Sequence, residues 1–409
     1  MARICIMTAG HLATCHRMMK AADALAAEHE VRVISTRHVA WATAGDAAVR
    51  RDARWRWSVV GYDRGSSRAA FLKSGLRARA SRAMVAAMGV GRVPSSIAVR
   101  AFSRVHDELV DAALVEPADL YYAGTNGALA AAAAAAAQSG ARYALDLEDF
   151  HSGEHDESGA CANALAERIE TGVLSQAVFL TTASTAMAAA YRHKYAVDPQ
   201  PIHNTFPLPP RPPDFSRPRS GELSFYWFSQ TIGLDRGLQE AISAIREARI
   251  AAELHLRGIA RPEVIDHLRR LAGSVPRLNI RHEPPSDPDT MVDRCRDHHV
   301  GLSLERTNPV SRAVCLPNKA LTYPLAGLAV AVTDTPGQRP FAEDLGDGAL
   351  VYAPGDIDAL ARGLARWANN PALLCRARMA AWEAARRRWH WEHEQDRGAL
   401  VALVESAVS

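Results

Sequence analysis

The chain has 409 residues, of which 48% are hydrophobic and 23% charged, and it carries a net charge of +3. That length exceeds what one hydrophobic core fills, so two units of about 200 residues are expected; the composition argues against disorder, and the charge against a whole-molecule nucleic-acid binder. Six cysteines without a CxxC pair or a Cys/His cluster signal neither a disulfide framework nor a zinc site, and no run nears the roughly 18 apolar residues of a membrane span, so a cytoplasmic protein is expected.

In chain order, residues 3–8 form a short apolar run broken by Ala9 and Gly10, residues 18–27 carry helical spacing, and residues 29–35 read as a strand. Strand, helix, strand predicts a parallel pair with a right-handed crossover, the unit of a doubly wound sheet. The alternation continues with a strand over 55–60, one helix over 97–115, a strand over 119–123, a helix through the eight alanines 130–137, a strand over 141–147, a helix over 165–175 and a strand over 178–182. Between them, residues 64–104 hold nine Lys or Arg and no Asp or Glu, with Phe71, Leu72, Leu76, Met84, Val85 and Met88 loosely at helical spacing. Such a basic amphipathic segment suits an anionic lipid surface, an anionic soluble ligand or simply a solvated helix face.

Residues 204–220, NTFPLPPRPPDFSRPRS, are too rich in proline for a helix or central strand and read as a semi-rigid linker. The alternation then restarts: strand 223–228, a loop through Gly233 and Gly237, helix 238–248, strand 253–257, helix 263–271, strands 278–282 and 300–304, a helix opening at 319–324, and strand 329–333. From residue 373 onward the pattern is helical, with Trp382, Trp389 and Trp391 able to pin it down.

Ligands of open α/β sheets bind outside the carboxyl ends of the strands. In the first half that rule selects Gly10, His11 and His16 after the first strand and Asp146, Glu148, Asp149, His151 and Glu154 after the fifth. No GxGxxG follows a strand, and GxxxxGK[ST] and GxSxG are absent, which argues against a dinucleotide dehydrogenase, a P-loop enzyme and an ordinary α/β-hydrolase.

The stretch LPNKALTYPLAGLAV at 316–330, followed by AVTDTPGQRP, resembles the segment that opens the donor-binding helix in the large retaining family of GT-B glycosyltransferases (family 4, group 1). FSQTIGLDRGLQEAI at 228–242 is similar to that family's phosphate loop and helix, with Gln230 and a basic-plus-Gly step at Arg236 and Gly237. RYALDLEDFHSGE at 142–154 resembles its acidic loop, and HNTF at 203–206 precedes the linker. The likeness runs along nearly the whole chain.

The resemblance implies a GT-B fold of two Rossmann-like β/α/β domains facing a cleft: residues 1–205 for the acceptor, a linker over 206–220, residues 221–385 for a nucleotide-diphosphate sugar, and a C-terminal helix over 386–409 returning to the first domain. The implied activity is retaining transfer of a sugar from UDP, GDP or dTDP to a glycan, lipid-linked or small-molecule acceptor. No cofactor and no metal would be needed. Composition points to a cytoplasmic enzyme, and the basic segment 64–104 to peripheral contact with the inner membrane face, as one reading beside a solvated helix face. Lys319 and Arg236 would hold the diphosphate and stabilise charge on the departing phosphate, with Asn318 either bonding phosphate or capping its helix. Glu305, ending GLSLE, would contact the donor. Where members carry Glu-x7-Glu, with the second Glu on the donor ribose, this chain has Val314 and Thr322. His11 and His151 would touch acceptor or donor sugar unless they are solvated loop residues. Glu148 and Asp149 would hold or deprotonate the acceptor hydroxyl unless they belong to an acidic strand exit. The DxD-like triplet Asp287-Pro288-Asp289 reads as a solvated turn. Two alternatives share the fold: a sugar-nucleotide epimerase, and a non-catalytic module that binds glycans or a partner transferase.

Overall fold

The computed structural model describes residues 1–38, 43, 45–46, 53–215, 222–273, 278–287 and 290–409. Most of the triplet 287–289 and residues 216–220 of the linker therefore lie outside the described residues. The chain divides into two compact units, residues 1–203 with 309–311 and 394–409, and residues 204–308 with 312–393.

Unit 1 is built on seven parallel strands in the order β3-β2-β1-β4-β5-β6-β7. These are β1 (Arg3–Thr8), β2 (Glu30–Arg37), β3 (Arg56–Gly61), β4 (Leu120–Gly124), β5 (Arg142–Leu147), β6 (Leu180–Thr182) and β7 (Gln200–Pro201). β1, β4 and β5 are buried over nearly their whole length, as continuous apolar runs in a two-sided parallel sheet must be. The helices are α1 (His16–Leu25), α2 (Arg68–Met88), α3 (Ser95–Phe102), α4 (His106–Leu114), α5 (Leu129–Ser139), α6 (Ala160–Val173) and α7 (Thr185–Tyr195). Leu129 and four alanines of α5 lie in the core. Strand order reverses between β1 and β4, so the loops after these strands meet: Ala9 N donates to Thr125 Oγ1 at 3.0 Å.

Two expectations change here. The single helix over 97–115 is two, because the chain turns extended at Ser103 before α4 begins. The basic segment forms the 21-residue α2, capped by Ser67, which accepts from Ala70 N, and then α3. Much of its charge is spent internally: Arg77 pairs with Asp107 and Glu108, Arg100 with Asp107, Arg82 Nε donates to Ala101 O, and Arg104 lies over the Phe71 ring. The buried stripe of α2 is Ser74, Ala78, Ser81 and Val85, whereas Leu72 and Leu76 are 59% and 64% exposed. At 100° per residue, Ala69, Leu72, Leu76, Ala83 and Ala87 fall opposite the buried stripe, with Arg68 and Arg79 on one flank and Lys73 on the other.

Unit 2 carries six parallel strands in the order β10-β9-β8-β11-β12-β13. They are β8 (Leu223–Ile232), β9 (Ala252–Ala260), β10 (Leu278–Glu283), β11 (Val300–Ser303), β12 (Ala329–Thr333) and β13 (Ala349–Tyr352). Helices α8 (Leu238–Ala248), α9 (Pro262–Gly273), α10 (Asn318–Leu325), α11 (Ile357–Asn369) and α12 (Pro371–Arg387) belong to this unit. Phe225, Trp227, Leu254, Leu256, Val300 and Leu302 face one core with α8 and α11; Tyr226, Tyr323, Val330, Val332 and Phe341 face the other. Gly301 is needed at β11 because a Cβ there would sit 2.1 Å from the Tyr323 ring. Trp389 stacks edge-on to Phe341 and donates to Asp344 at 2.6 Å, fixing the end of the helical stretch after residue 371. The helix Ala399–Val408 groups with unit 1, where Arg142 donates to Ala407 O and Asp396 accepts from His203 N at 2.8 Å.

Candidate functional site

Strand order in unit 2 reverses between β8 and β11, which brings two loops together. The loop after β8 turns into α8 through Gly237, at φ +73°; a side chain there would meet Leu304 Cβ at 2.8 Å and its carbonyl at 3.1 Å, so only glycine lets this loop lie against the end of β11. Immediately beyond Leu304, Glu305 is buried and accepts from Lys319 Nζ at 2.9 Å. Arg312 Nη1 lies 3.6 Å from its other oxygen, and Arg236 adds its charge from the neighbouring loop. Burial opposes the ionised Glu305, yet Lys319, Arg312 and Arg236 outweigh it and hold the carboxyl below its ordinary range.

Three cations thus surround one carboxylate at a crossing of strand ends, beside the first turn of α10. Sequence reading singled out Lys319, Arg236 and Glu305; Arg312 it missed, because nothing in the local pattern ties that residue to Glu305. The two oxygens of Glu305 face Lys319 and Arg312. Gln230 is exposed on β8, where the register with β9 shifts between Phe228 and Thr231. Asn318 opens α10 without a capping bond from its own N-cap residue, and its Oδ1 accepts from Asn204 Nδ2 at 2.8 Å. Thr322 is fully buried and donates to Asn318 O at 2.8 Å.

In unit 1 the loop after β5 is acidic and largely buried. Asp146 is held by Arg17 Nε at 3.0 Å to both oxygens, and Arg17 also donates to Ile202 O at 2.6 Å. This carboxylate is committed to a buried ion pair. Glu148 lies beyond it, and burial, reinforced by Asp149, raises its carboxyl to about 7. Burial and Arg17 push the nearby Lys20 ammonium down to about 7. Asp149 contributes its carbonyl to Tyr191 Oη at 2.9 Å.

His151 is 4% exposed, and among the described residues neither ring nitrogen has a hydrogen-bond partner. Burial opposes its charge, but Glu154 at 3.8 Å, with Glu170 and Asp149 beyond, prevails and raises its pKa. His11 is placed differently. Its Nδ1 lies 2.8 Å from Asp46 Oδ2 and its Nε2 accepts from His38 N at 3.1 Å, so both nitrogens are occupied in the fold and the ring is not the solvated loop residue of the alternative reading. The structure brings Glu148, Asp149 and His151 together and ties His11 into the β1 side.

Two Rossmann-like parallel units with such loops at their strand exits define the GT-B class of fold. No protein-family model matches the chain, and no curated protein matches it. Among solved structures it is similar to sucrose-phosphate synthase from Thermosynechococcus elongatus, at 13% identity over 99% of this chain and 98% of that one, with a TM-score of 0.70. It is likewise similar to Anabaena HepE solved with UDP and glucose (15% identity, 100% and 99% coverage, TM-score 0.68). A third is an S. aureus TarM variant solved with fondaparinux, a GlcNAc-glycerol and UDP (10% identity, 100% of both chains, TM-score 0.67). The chain therefore has the GT-B fold along its whole length. No described helix is long and apolar enough to cross a membrane.

Proposed function

We propose that the chain transfers a glycosyl group from a nucleoside-diphosphate sugar to an acceptor hydroxyl, with retention and without a metal ion, unit 2 taking the donor and unit 1 the acceptor. The observation that carries this reading is the set Lys319, Arg312 and Arg236 around the buried Glu305. Three positive charges against Glu305 and the exposed Asp235, which lies 3.8 Å from Arg236 Nε, leave a net positive site of the sign a pyrophosphate needs, and the N-terminus of α10 adds backbone donors. An ammonium has three protons; Glu305 accepts one from Lys319, which orients the others. When the bond between the anomeric carbon and the phosphate oxygen breaks, its electron pair stays on phosphate, and these cations stabilise that charge more in the transition state than in the ground state. The acceptor oxygen bonds to the anomeric carbon as that bond breaks, and its proton passes to the departing phosphate oxygen on the same face of the sugar. Glu148, with a pKa near 7, and His151, whose ring nitrogens make no hydrogen bond among the described residues and which has Glu154 at 3.8 Å, are the unit 1 groups suited to holding that hydroxyl. The UDP found with HepE and TarM supports testing UDP-sugars first, and retention rests on the likeness of residues 316–330 to the retaining family.

A thermal-shift series over UDP-, GDP-, ADP- and dTDP-sugars tests this. One donor is expected to raise the melting temperature, and Lys319→Ala and Arg236→Ala to remove most of that rise with the circular dichroism spectrum unchanged. Wild-type donor affinity in both variants would remove the phosphate site. An altered sugar nucleotide formed without acceptor would make the protein an epimerase, and silence toward every nucleotide would make it a binding module.

The exposed stripe of α2 favours an acceptor at an anionic lipid surface. Leu72 and Leu76 lie on the solvent side of the helix between Arg68, Arg79 and Lys73, the pattern of a helix lying in a membrane interface. Vesicles containing phosphatidylglycerol are expected to bind the protein, and neutral vesicles to release it.

A further inference from the structure

The same face of β8, β9 and β10 carries a polar cluster that the donor site does not use. Tyr226 pairs in register with His255, and Arg257 with Glu283, so their side chains share one side of the sheet. His298, just before β11, stacks on Tyr226 with ring centroids 4.3 Å apart and lies 4.5 Å from the His255 ring. His255 Nδ1 is 2.8 Å from Glu283 Oε1, and one ligand atom from each of His255, Glu283 and His298 falls within 4.8 Å of the others.

We propose that His255, Glu283 and His298 form a binding site for a divalent transition metal of the zinc type. Two imidazoles and a carboxylate are a donor set zinc accepts, whereas magnesium, which demands oxygen ligands, is disfavoured. The surroundings of each ligand strengthen the assignment, because each has a partner on the atom proposed not to bind. Glu253 Oε2 lies 3.3 Å from His255 Nε2, so a proton there is held when Nδ1 takes the ion. Ser224 Oγ lies 2.8 Å from His298 Nδ1, which assigns Nε2 to the metal, and Arg257 donates to Glu283 Oε2, which assigns Oε1. Such outer partners fix the tautomer and direction of ligands in metal centres. His255 and Glu283 side chains keep 13% and 25% exposure, so water can reach the ion and complete its coordination.

The ion would tie β9, β10 and the segment leading into β11 together. Ser224 and His298 stand at the starting ends of β8 and β11, the opposite ends of those strands from Gly237 and Glu305. This is consequently a structural centre apart from sugar transfer. No short motif announces it, because its ligands come from three separate strand-associated segments.

The test uses the full chain, stripped with chelator and titrated with Zn2+ alone against a chromophoric competitor, with Mg2+ as control. Expected are saturable uptake of about one Zn2+ per chain, a melting temperature raised by Zn2+ but not by Mg2+, and loss of uptake in His255→Ala and Glu283→Gln. Ser224→Ala should weaken Zn2+ binding about tenfold to hundredfold. Glu283→Gln keeps the shape of the side chain, so the question remains answerable if His255→Ala does not fold. Wild-type protein without saturable Zn2+ uptake overturns the proposal, as does wild-type Zn2+ affinity in both ligand variants. Donor binding reports separately, since none of these residues belongs to the phosphate site.

Discussion

The two units share a parallel β/α plan, yet their strand exits collect opposite charge. Unit 2 gathers Lys319, Arg312 and Arg236 around one carboxylate. Unit 1 gathers carboxylates, and settles them unequally: Asp146 is neutralised by the buried Arg17, while Glu148 is left to rise to about 7 and His151 keeps both nitrogens without partners among the described residues. In unit 2 a buried acid lies among cations; in unit 1 a buried cation neutralises one acid, and Glu148 beyond it has a raised pKa. The lesson is that a fold repeated twice fixes where chemistry sits, whereas the few residues at each strand exit decide its sign.

The comparison breaks first at its most buried pair. Arg17 and Asp146 are only 4% and 3% exposed, so Asp146→Asn leaves a guanidinium without its counter-charge and should cost about 3–5 kcal/mol in denaturant unfolding. A loss under about 1 kcal/mol would mean that Ile202 O and water suffice for Arg17. Next is Lys319→Ala, expected to lower kcat/KM about a hundredfold by removing a donor to the leaving phosphate. Equal loss for substrates with and without a charged leaving group would refute that role.

Glu148→Gln sharpens the unit 1 side through pH. The folded pKa of about 7 lies above the ordinary 4.5, so the folded chain holds the proton more tightly than the unfolded one. That contribution to stability is complete below about pH 4.5 and disappears as pH rises through about 7. Wild type should therefore lose stability across this window relative to Glu148→Gln, and a pH–rate limb near 7 should vanish in the variant. Parallel stability curves would show that Glu148 titrates normally. The smallest effect is on α2: Lys73→Ala should weaken binding to anionic vesicles about fivefold, near 1 kcal/mol, with stability changed by under about 0.5 kcal/mol.

Legibility in the sequence followed the same local logic. β1, α8 and β12 were readable to their end residues because an apolar run or a 3.6-residue rhythm fills each and Gly or a polar residue closes it. α2 was readable only as loose helical spacing: its Leu and Met residues point outward and its buried stripe contains Ser74, Ala78 and Ser81, which inverts the usual pattern. The break between α3 and α4 carries no Gly or Pro at Ser103–Val105, and α7 and β13 were unread because α7 buries few large residues and β13 spans four. At the site, Lys319 and Arg236 stood in recognisable stretches. The roles of Arg312, Arg17 and Asp46 depend on partners brought close only by folding, as Arg17 and Asp146 are 129 residues apart.

The central claim, that the unit 2 cations hold a pyrophosphate, is tested most directly by calorimetric binding of a nucleoside diphosphate and its parent nucleoside to wild type and Lys319→Ala. The diphosphate should bind wild type far more tightly than the nucleoside, and that gap should shrink about tenfold or more in the variant while nucleoside affinity stays the same. A gap of wild-type size in Lys319→Ala would contradict the account.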